Sequence, residues 1–361
     1  MRVLVIVSLL LTVAGSATAA DPCKSACKTA KKSCLRSAAG AYATAKAACG
    51  ADAATRKACV TGARAERTAA KSDCKAAFSS CKAVCGGGPT GGGTCRASSF
   101  GDWLASVNGW RALAGLPAVT EDASWSAGAL AHARYVVRED QVGHTESASS
   151  ANFSAEGLAA AQNGNVAGTS DIQASEGWAI DAWMTGPFHA VGILDPLLAV
   201  SGFGIFHEQG AMVQTGAVLD VLRGRSGAPA TAPVVLPADG MVLPVGRYDG
   251  NESPDPLASC PGYTAPSGFP LIVLAGPGFS GTTVTAHALS RGGTPVEHCV
   301  FDGTTYTNPD PAAQSSGRNV LGARDAVVIM AKEPLVKGAG YEASLVVNGQ
   351  TLAWSFTVDC P

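Results

Sequence analysis

Between residues 97 and 225, the apolar positions repeat first with the period of a helix and later with that of a strand. After a first helix, a second is predicted from about Ser124 to Arg138. A later helix is predicted to end at about Met184, where a Gly-Pro loop follows. Strands are predicted around Ser201–Phe206 and in the sequence AMVQTGAVLDV. Helices around a small sheet predict a layered α/β/α domain. The first of its helices places these apolar residues on one face: Trp103, Leu104, Val107, Trp110 and Leu113.

After a Gly-, Pro- and Ala-rich stretch, residues 226–361 read as short strands separated by Gly, Pro, Asp and Asn. Asn348-Gly349, between two such runs, is a strong β-hairpin signal. We expect a C-terminal all-β sandwich of immunoglobulin-like type. Four cysteines remain for two disulfides here, and their three pairings stay open: Cys95, Cys260, Cys299 and Cys360.

The N-terminal segment, residues 21–85, is rich in alanine, lysine and cysteine. Its cysteine spacings of 4, 7, 15, 10, 15, 7 and 4 form a palindrome. Each half places its four cysteines within about 80° of one helical face. If the chain turns at residues 50–54, the two halves become antiparallel helices whose cysteines face each other. The spacing therefore predicts an α-helical hairpin stapled by disulfides. A metal-thiolate cluster is the less favoured alternative, because CxxC spacing is absent. The predicted pairs are Cys23–Cys85, Cys27–Cys81, Cys34–Cys74 and Cys49–Cys59. A Gly-rich linker, residues 86–96, follows.

Residues 1–20 have the pattern of a bacterial secretory signal peptide. Arg2 precedes an apolar run, and small residues lead to a cleavage site near Ala19 or Ala20. The cysteine content requires an oxidising compartment. No segment reaches the length of about 18 apolar residues that a transmembrane span needs. We expect a secreted, periplasmic or extracellular protein without a transmembrane span.

Charge is distributed unevenly along the chain. Residues 23–85 hold 13 Lys or Arg and 3 Asp or Glu, whereas residues 86–361 hold 12 and 24. The basic hairpin could bind an anionic surface, dock on the acidic remainder, or simply be a solvated charged face. Nucleic acid is not expected as a partner, because the hairpin has one Tyr, one Phe and no Trp for base stacking.

Five motifs in the middle segment occur in an order that resembles a known family. They are VNGWRALAGLPAV, LAHARYV, VGHTES, AEGLAA and AWMTGPFHAVGILDPLL followed by SGFGIF. The segment, residues 97–225, is similar to the CAP superfamily of cysteine-rich secretory, antigen 5 and pathogenesis-related proteins, particularly its bacterial secreted SCP-domain members. The resemblance implies an α-β-α sandwich whose cleft is lined by two histidines and two acidic residues.

Carried over by motif, the cleft residues are His144, Glu156 and His189. The position of the second acid falls on Gly186, so that the family set is incomplete. The resemblance implies a divalent cation in some members, often zinc, and two imidazoles with a carboxylate suit Zn²⁺ with an open coordination position. The competing interpretation is a structural cleft of hydrogen-bonded side chains. Nearby supporting candidates are His132, Glu146 and Glu176.

Three functions are compatible with these features. A non-enzymatic protein that binds a ligand at the cell envelope or outside the cell is favoured, because the cleft set lacks one member. The first alternative is a metal-dependent hydrolase of a peptide or envelope polymer, with Glu156 as general base. The second alternative is lipid binding, which would need an apolar groove.

Overall fold

The structure is a computed structural model that describes residues 22–50, 56–65, 67–68, 71, 75, 95, 97–210, 212–230 and 233–360. The chain divides into two units, Met1–Cys85 and Gly86–Pro361. The predicted signal peptide lies outside the described residues. Within the part of the chain described, no helix is long and apolar enough to cross a membrane.

The first unit contains helix α1, Pro22–Ala48, and a second helical stretch at residues 56–65. A disulfide joins Cys49 to Cys59, with 5.8 Å between their Cα atoms. The Arg67 guanidinium lies 4.8 Å from the centroid of the Tyr42 ring, a second contact between the helical stretches. Each of the remaining predicted pairs has one cysteine outside the described residues: Cys23–Cys85, Cys27–Cys81 and Cys34–Cys74.

The first half of the second unit is a three-layer α-β-α sandwich. Its central sheet is antiparallel, with β2 (Gly164–Thr169) and β4 (Phe203–His207) on either side of β5 (Thr215–Asp220). Ala217 and Leu219 of β5 pack into the core beneath one face, and Val218 packs into the core beneath the other. The strand is therefore covered on both sides, as its run of buried residues requires. The helices are α2 Trp103–Leu113, α3 Ala123–Arg138, α4 Ala155–Asn163, α5 Glu176–Thr185 and α6 Pro187–Ile193. The strands are β1 Thr120–Glu121, β2 Gly164–Thr169, β3 Val200–Ser201, β4 Phe203–His207 and β5 Thr215–Asp220.

Two glycines let α3 lie directly on this sheet. A Cβ on Gly204 would stand 2.0 Å from the main-chain nitrogen of Leu130, and one on Gly216 would stand 2.6 Å from the Ala133 carbonyl. Side chains at these positions would push the helix away from β4 and β5. The close approach fixes the height of α3, which carries His132, above the sheet.

The prediction of a loop after Met184 is wrong. Gly186 instead caps a new helix, α6, and Pro187 occupies its first turn. Proline is favourable there, because its fixed φ suits a helix and its missing N–H would have no intrahelical partner. The Gly-Pro pair therefore separates two helices, α5 and α6, and leaves no loop between them.

The second half of the unit is predominantly β, as predicted. A four-stranded sheet of order β13-β14-β10-β6 and a five-stranded sheet of order β12-β11-β15-β16-β7 supply most of it, beside a small β8-β9 pair. The immunoglobulin-like assignment stays a prediction. The strands are β6 Val234–Leu236, β7 Met241–Leu243, β8 Arg247–Tyr248, β9 Ser267–Gly268, β10 Leu271–Leu274, β11 Val284–Arg291, β12 Thr294–Pro295, β13 His298–Asp302, β14 Ala326–Ala331, β15 Gly340–Val347 and β16 Gln350–Val358.

A helix that the strand pattern did not predict, α7 Pro311–Gly322, packs beside β13 and β14. Its start has a recognisable signal, since Asp310 accepts the Ala312 N–H as an N-cap and Pro311 follows it. The two open disulfides are now assigned as Cys95–Cys360 and Cys260–Cys299.

Candidate functional site

The first candidate, His132, is fully buried on α3 and has both ring nitrogens engaged. Its Nε2 lies 2.8 Å from the Gly143 carbonyl, which only accepts, so that Nε2 carries a proton. Its Nδ1 lies 2.8 Å from Oε1 of Glu146, whose side chain is also buried. Glu146 Oε2 in turn accepts the Ser154 N–H at 2.8 Å. The pair thus fixes the 143–154 loop, and His132 has no ring nitrogen free for a ligand.

His144 and Glu156, by contrast, are exposed. The Nδ1 of His144 lies 2.8 Å from the Ala161 carbonyl, so Nδ1 carries the proton. In the neutral ring, Nε2 then has a free lone pair. Glu156 stands in the first turn of α4, where a carboxylate is favoured by the helix dipole. Its side chain has no hydrogen bond or ion pair with any described residue.

His189, on α6, is paired with a residue that the sequence did not indicate. Its Nδ1 lies 2.8 Å from Oε1 of Glu252, and its main-chain N–H donates to the same oxygen at 2.9 Å. Glu252 follows the short strand β8 in the C-terminal half of the unit. Its side chain is 1% exposed, whereas that of His189 is 21% exposed. Burial raises the pKa of the Glu252 carboxyl, and the hydrogen bond from His189 opposes this shift.

The Glu252 carboxylate fills the space beside Gly186. A Cβ built on Gly186 would stand 2.5 Å from the Glu252 carboxyl carbon. Gly186 is the position at which the resemblance places the second acid, and any larger residue there would collide with Glu252. A carboxylate from another part of the chain therefore occupies the place of the absent side chain.

The two acidic side chains on α5, one of them the candidate Glu176, have structural partners. Glu176 accepts the Trp103 N–H at 2.9 Å. Asp181 accepts the Ser98 N–H and hydroxyl, both at 2.7 Å, and the Trp110 indole N–H at 3.0 Å. Burial raises the pKa of the Asp181 carboxyl. These contacts anchor α5 to α2 and to the segment before it.

The orientation of the two histidines bears on whether they could hold a metal ion. Both His144 and His189 present Nε2 with Nδ1 held by an acceptor, an orientation typical of metal-ligating histidines. However, no group of three or more His, Cys, Asp or Glu among the described residues is placed to hold a metal ion. As arranged, His144, Glu156 and His189 do not fit a three-ligand metal centre.

No sequence signal connects Glu252 with His189. The two residues are 63 positions apart, and Glu252 lies in the sequence GNESPDP, which reads as a turn. Only an unusual glycine at position 186, in a place where an acid was expected, marks the site from the sequence alone.

Comparison with known proteins finds a family match over part of the chain. Residues 104–212 match the profile of the cysteine-rich secretory protein family, CAP. A crystal structure of an extracellular protein containing an SCP domain, from Bacillus anthracis str. Ames, is similar at 14% identity, over 34% of this chain and 39% of that chain, with a TM-score of 0.25. The chain thus spans well under half of the length of that protein. A search of curated proteins finds no match. The motifs, the α-β-α layers and the family profile together identify residues 104–212 as a CAP domain within this chain.

Proposed function

We propose that this protein is exported and acts by binding a ligand at the cell envelope or outside the cell, with its CAP domain as the binding part. The observation that supports this most is the pairing of the candidate side chains. A hydrolytic site brings a nucleophile, a base and an oxyanion-stabilising group within reach of one reacting atom. Here His132, His144 and His189 each hydrogen-bond a separate structural partner.

The groups left free define the chemistry of the proposed ligand. The Nε2 atoms of His144 and His189 and the carboxylate of Glu156 are hydrogen-bond acceptors when the imidazoles are neutral. Residues 86–361 also carry a net charge of −12. A ligand rich in hydroxyl, amide or ammonium donors therefore suits this surface, as an envelope glycan or a basic peptide would.

The mature chain should bind a donor-rich polymer without cleaving it. The measurement is co-sedimentation with chitosan and chitin beads, for the native protein and for a His144→Ala/Glu156→Gln/His189→Ala variant. We expect retention of the native protein and a clear loss in the variant. His207→Ala is the matched control, because His207 is an exposed histidine outside the candidate set. Retention of the triple variant at the native level would contradict the proposal.

The same preparations test the hydrolase alternative. Native protein and variants are incubated with zinc and with peptide and glycan substrates, and their metal content is measured by plasma mass spectrometry. Zinc-dependent turnover that is lost in His144→Ala and His189→Ala would overturn the binding proposal in favour of a hydrolase. A retention component on chitosan that falls with salt would indicate an electrostatic contact between its ammonium groups and the acidic residues of 86–361.

A further inference from the structure

The Glu252 carboxylate performs two tasks that a side chain at position 186 would perform locally. Gly186 is the N-cap of α6 and provides no side-chain hydrogen bond. An acidic N-cap would accept the N–H of the residue three positions on, which is His189. Glu252 accepts this N–H at 2.9 Å and also holds the imidazole of the same residue.

The proton on His189 can be placed by elimination. Glu252 Oε1 accepts the His189 main-chain N–H, so it is an acceptor whether the carboxyl group is ionised or carries a proton on Oε2. Because Oε1 without a proton only accepts, the imidazole Nδ1 at 2.8 Å donates to it. In the neutral ring, Nε2 is left with a lone pair on the partly exposed side of the residue.

Capping α6 with Glu252 is less stabilising than capping it with a side chain at position 186 would be. Glu252 Oε2 is buried and has no hydrogen-bond partner within the described residues. An unpartnered buried oxygen of this kind destabilises the folded protein, because it has lost its hydrogen bonds to water. A serine or aspartate at position 186 would cap α6 without that cost. The pairing with the imidazole is the feature that a simple cap does not explain.

We propose that Glu252 is a positioning residue for His189, and that the binding site at His189 is composite, assembled by the CAP domain and the C-terminal region together. Glu252 replaces the side chain that Gly186 lacks, fixes the Nδ1–H tautomer of His189 and presents Nε2 as an acceptor to the ligand. The use of Nε2 by a ligand rests on the function proposed above, whereas the positioning of the ring does not.

The test measures the tautomer of His189 by long-range ¹H–¹⁵N correlation in the histidine-labelled mature chain. The His189 signals are assigned as those that are missing from the spectrum of His189→Gln. We expect the Nδ1–H tautomer in the native protein and a mixture of tautomers in Glu252→Ala, since the acceptor is gone. In Gly186→Asp/Glu252→Ala, an aspartate at the N-cap enters the vacated space, and we expect the Nδ1–H tautomer to return. Gly186→Asp alone should be destabilised, because Glu252 still occupies the space that its Cβ needs.

Two results would overturn the proposal. One is an Nε2–H tautomer in the native protein, a measurement that needs no variant and so holds even if Glu252→Ala fails to fold. The other is a folded Glu252→Ala protein in which the His189 tautomer is unchanged. Retention on the beads is measured in parallel. We expect about a fivefold weaker retention for Glu252→Ala, which corresponds to the loss of about one hydrogen bond to the ligand. A changed tautomer with unchanged retention would support the positioning role and reject the use of His189 in binding.

Discussion

Arg111 shows how one residue of the family-like motif builds the CAP fold. Its side chain is fully buried and donates to four main-chain carbonyls at 2.7–2.9 Å. Burial lowers the pKa of Arg111 to about 10, and the nearby Asp195 opposes this shift. The planar guanidinium reaches several acceptors at once, which a single ammonium group does not. The accepting carbonyls belong to Pro117, Ile193, Asp195 and Leu198.

Arg111→Lys should therefore destabilise the protein strongly although it keeps the charge. The ammonium group would leave at least one buried carbonyl unpaired, and we expect a loss of about 3 kcal/mol in the free energy of unfolding, measured by urea titration. Arg138→Lys is the matched control, because Arg138 forms an exposed ion pair with Glu208 and should change the value by less than about 1 kcal/mol. Equal losses in the two variants would contradict this role of Arg111.

At the scale of elements, local patterns predicted more than long-range ones. The apolar periodicity located α3 to within one residue at its start, and Asn348-Gly349 forms the predicted turn with φ values of 50° and 77°. Both signals are contained in a few neighbouring residues. The break between α5 and α6 was misread because Gly-Pro marks a helix start as well as a loop. Glu252 was missed because its partner is distant in sequence and only the tertiary fold brings the two together.

A pair of histidines links the two large sheets of the C-terminal half. On β13, His298 Nδ1 donates to the Val296 carbonyl at 2.7 Å, so that in the neutral ring Nε2 accepts. On β11, His287 Nδ1 then donates to His298 Nε2 at 2.9 Å. Burial is the larger of two causes that lower the pKa of His287, and the nearby His298 is the smaller. The contact thus needs an unprotonated Nε2 on His298.

This pair predicts a loss of stability in mild acid. Because the pKa of His287 is lower in the folded than in the unfolded protein, the unfolded chain binds more protons in the interval between the two values. Stability is therefore expected to fall as the pH drops below about 6.5, the ordinary value for histidine. The melting temperature of His287→Gln should depend less on pH between about 5 and 7.5 than that of the native protein. His207→Gln, altered at another exposed histidine, should keep the native pH dependence.

Across the second unit as a whole, the CAP domain and the C-terminal region share one core. Trp110 stacks on Phe269 with 5.5 Å between ring centroids, and Phe188 meets Tyr306 edge to face at 5.0 Å. The Cys95–Cys360 disulfide joins positions 265 residues apart. The pair of His189 and Glu252 crosses the same interface, so the candidate site depends on the two regions remaining together.

We therefore expect the two regions to unfold in one transition. Tryptophan fluorescence reports on this unit alone, because all six tryptophans lie after residue 86, five of them in the CAP region and Trp354 in the C-terminal region. Removing the long-range bridge in Cys95→Ser/Cys360→Ser should lower the free energy of unfolding by about 2–4 kcal/mol, since the unfolded chain regains loop entropy. Cys260→Ser/Cys299→Ser, which opens a loop of only 39 residues, should cost about 1–2 kcal/mol less. A biphasic fluorescence curve in the native protein would show instead that the two regions unfold independently. His189 and Glu252 would then be expected to separate before the CAP domain unfolds.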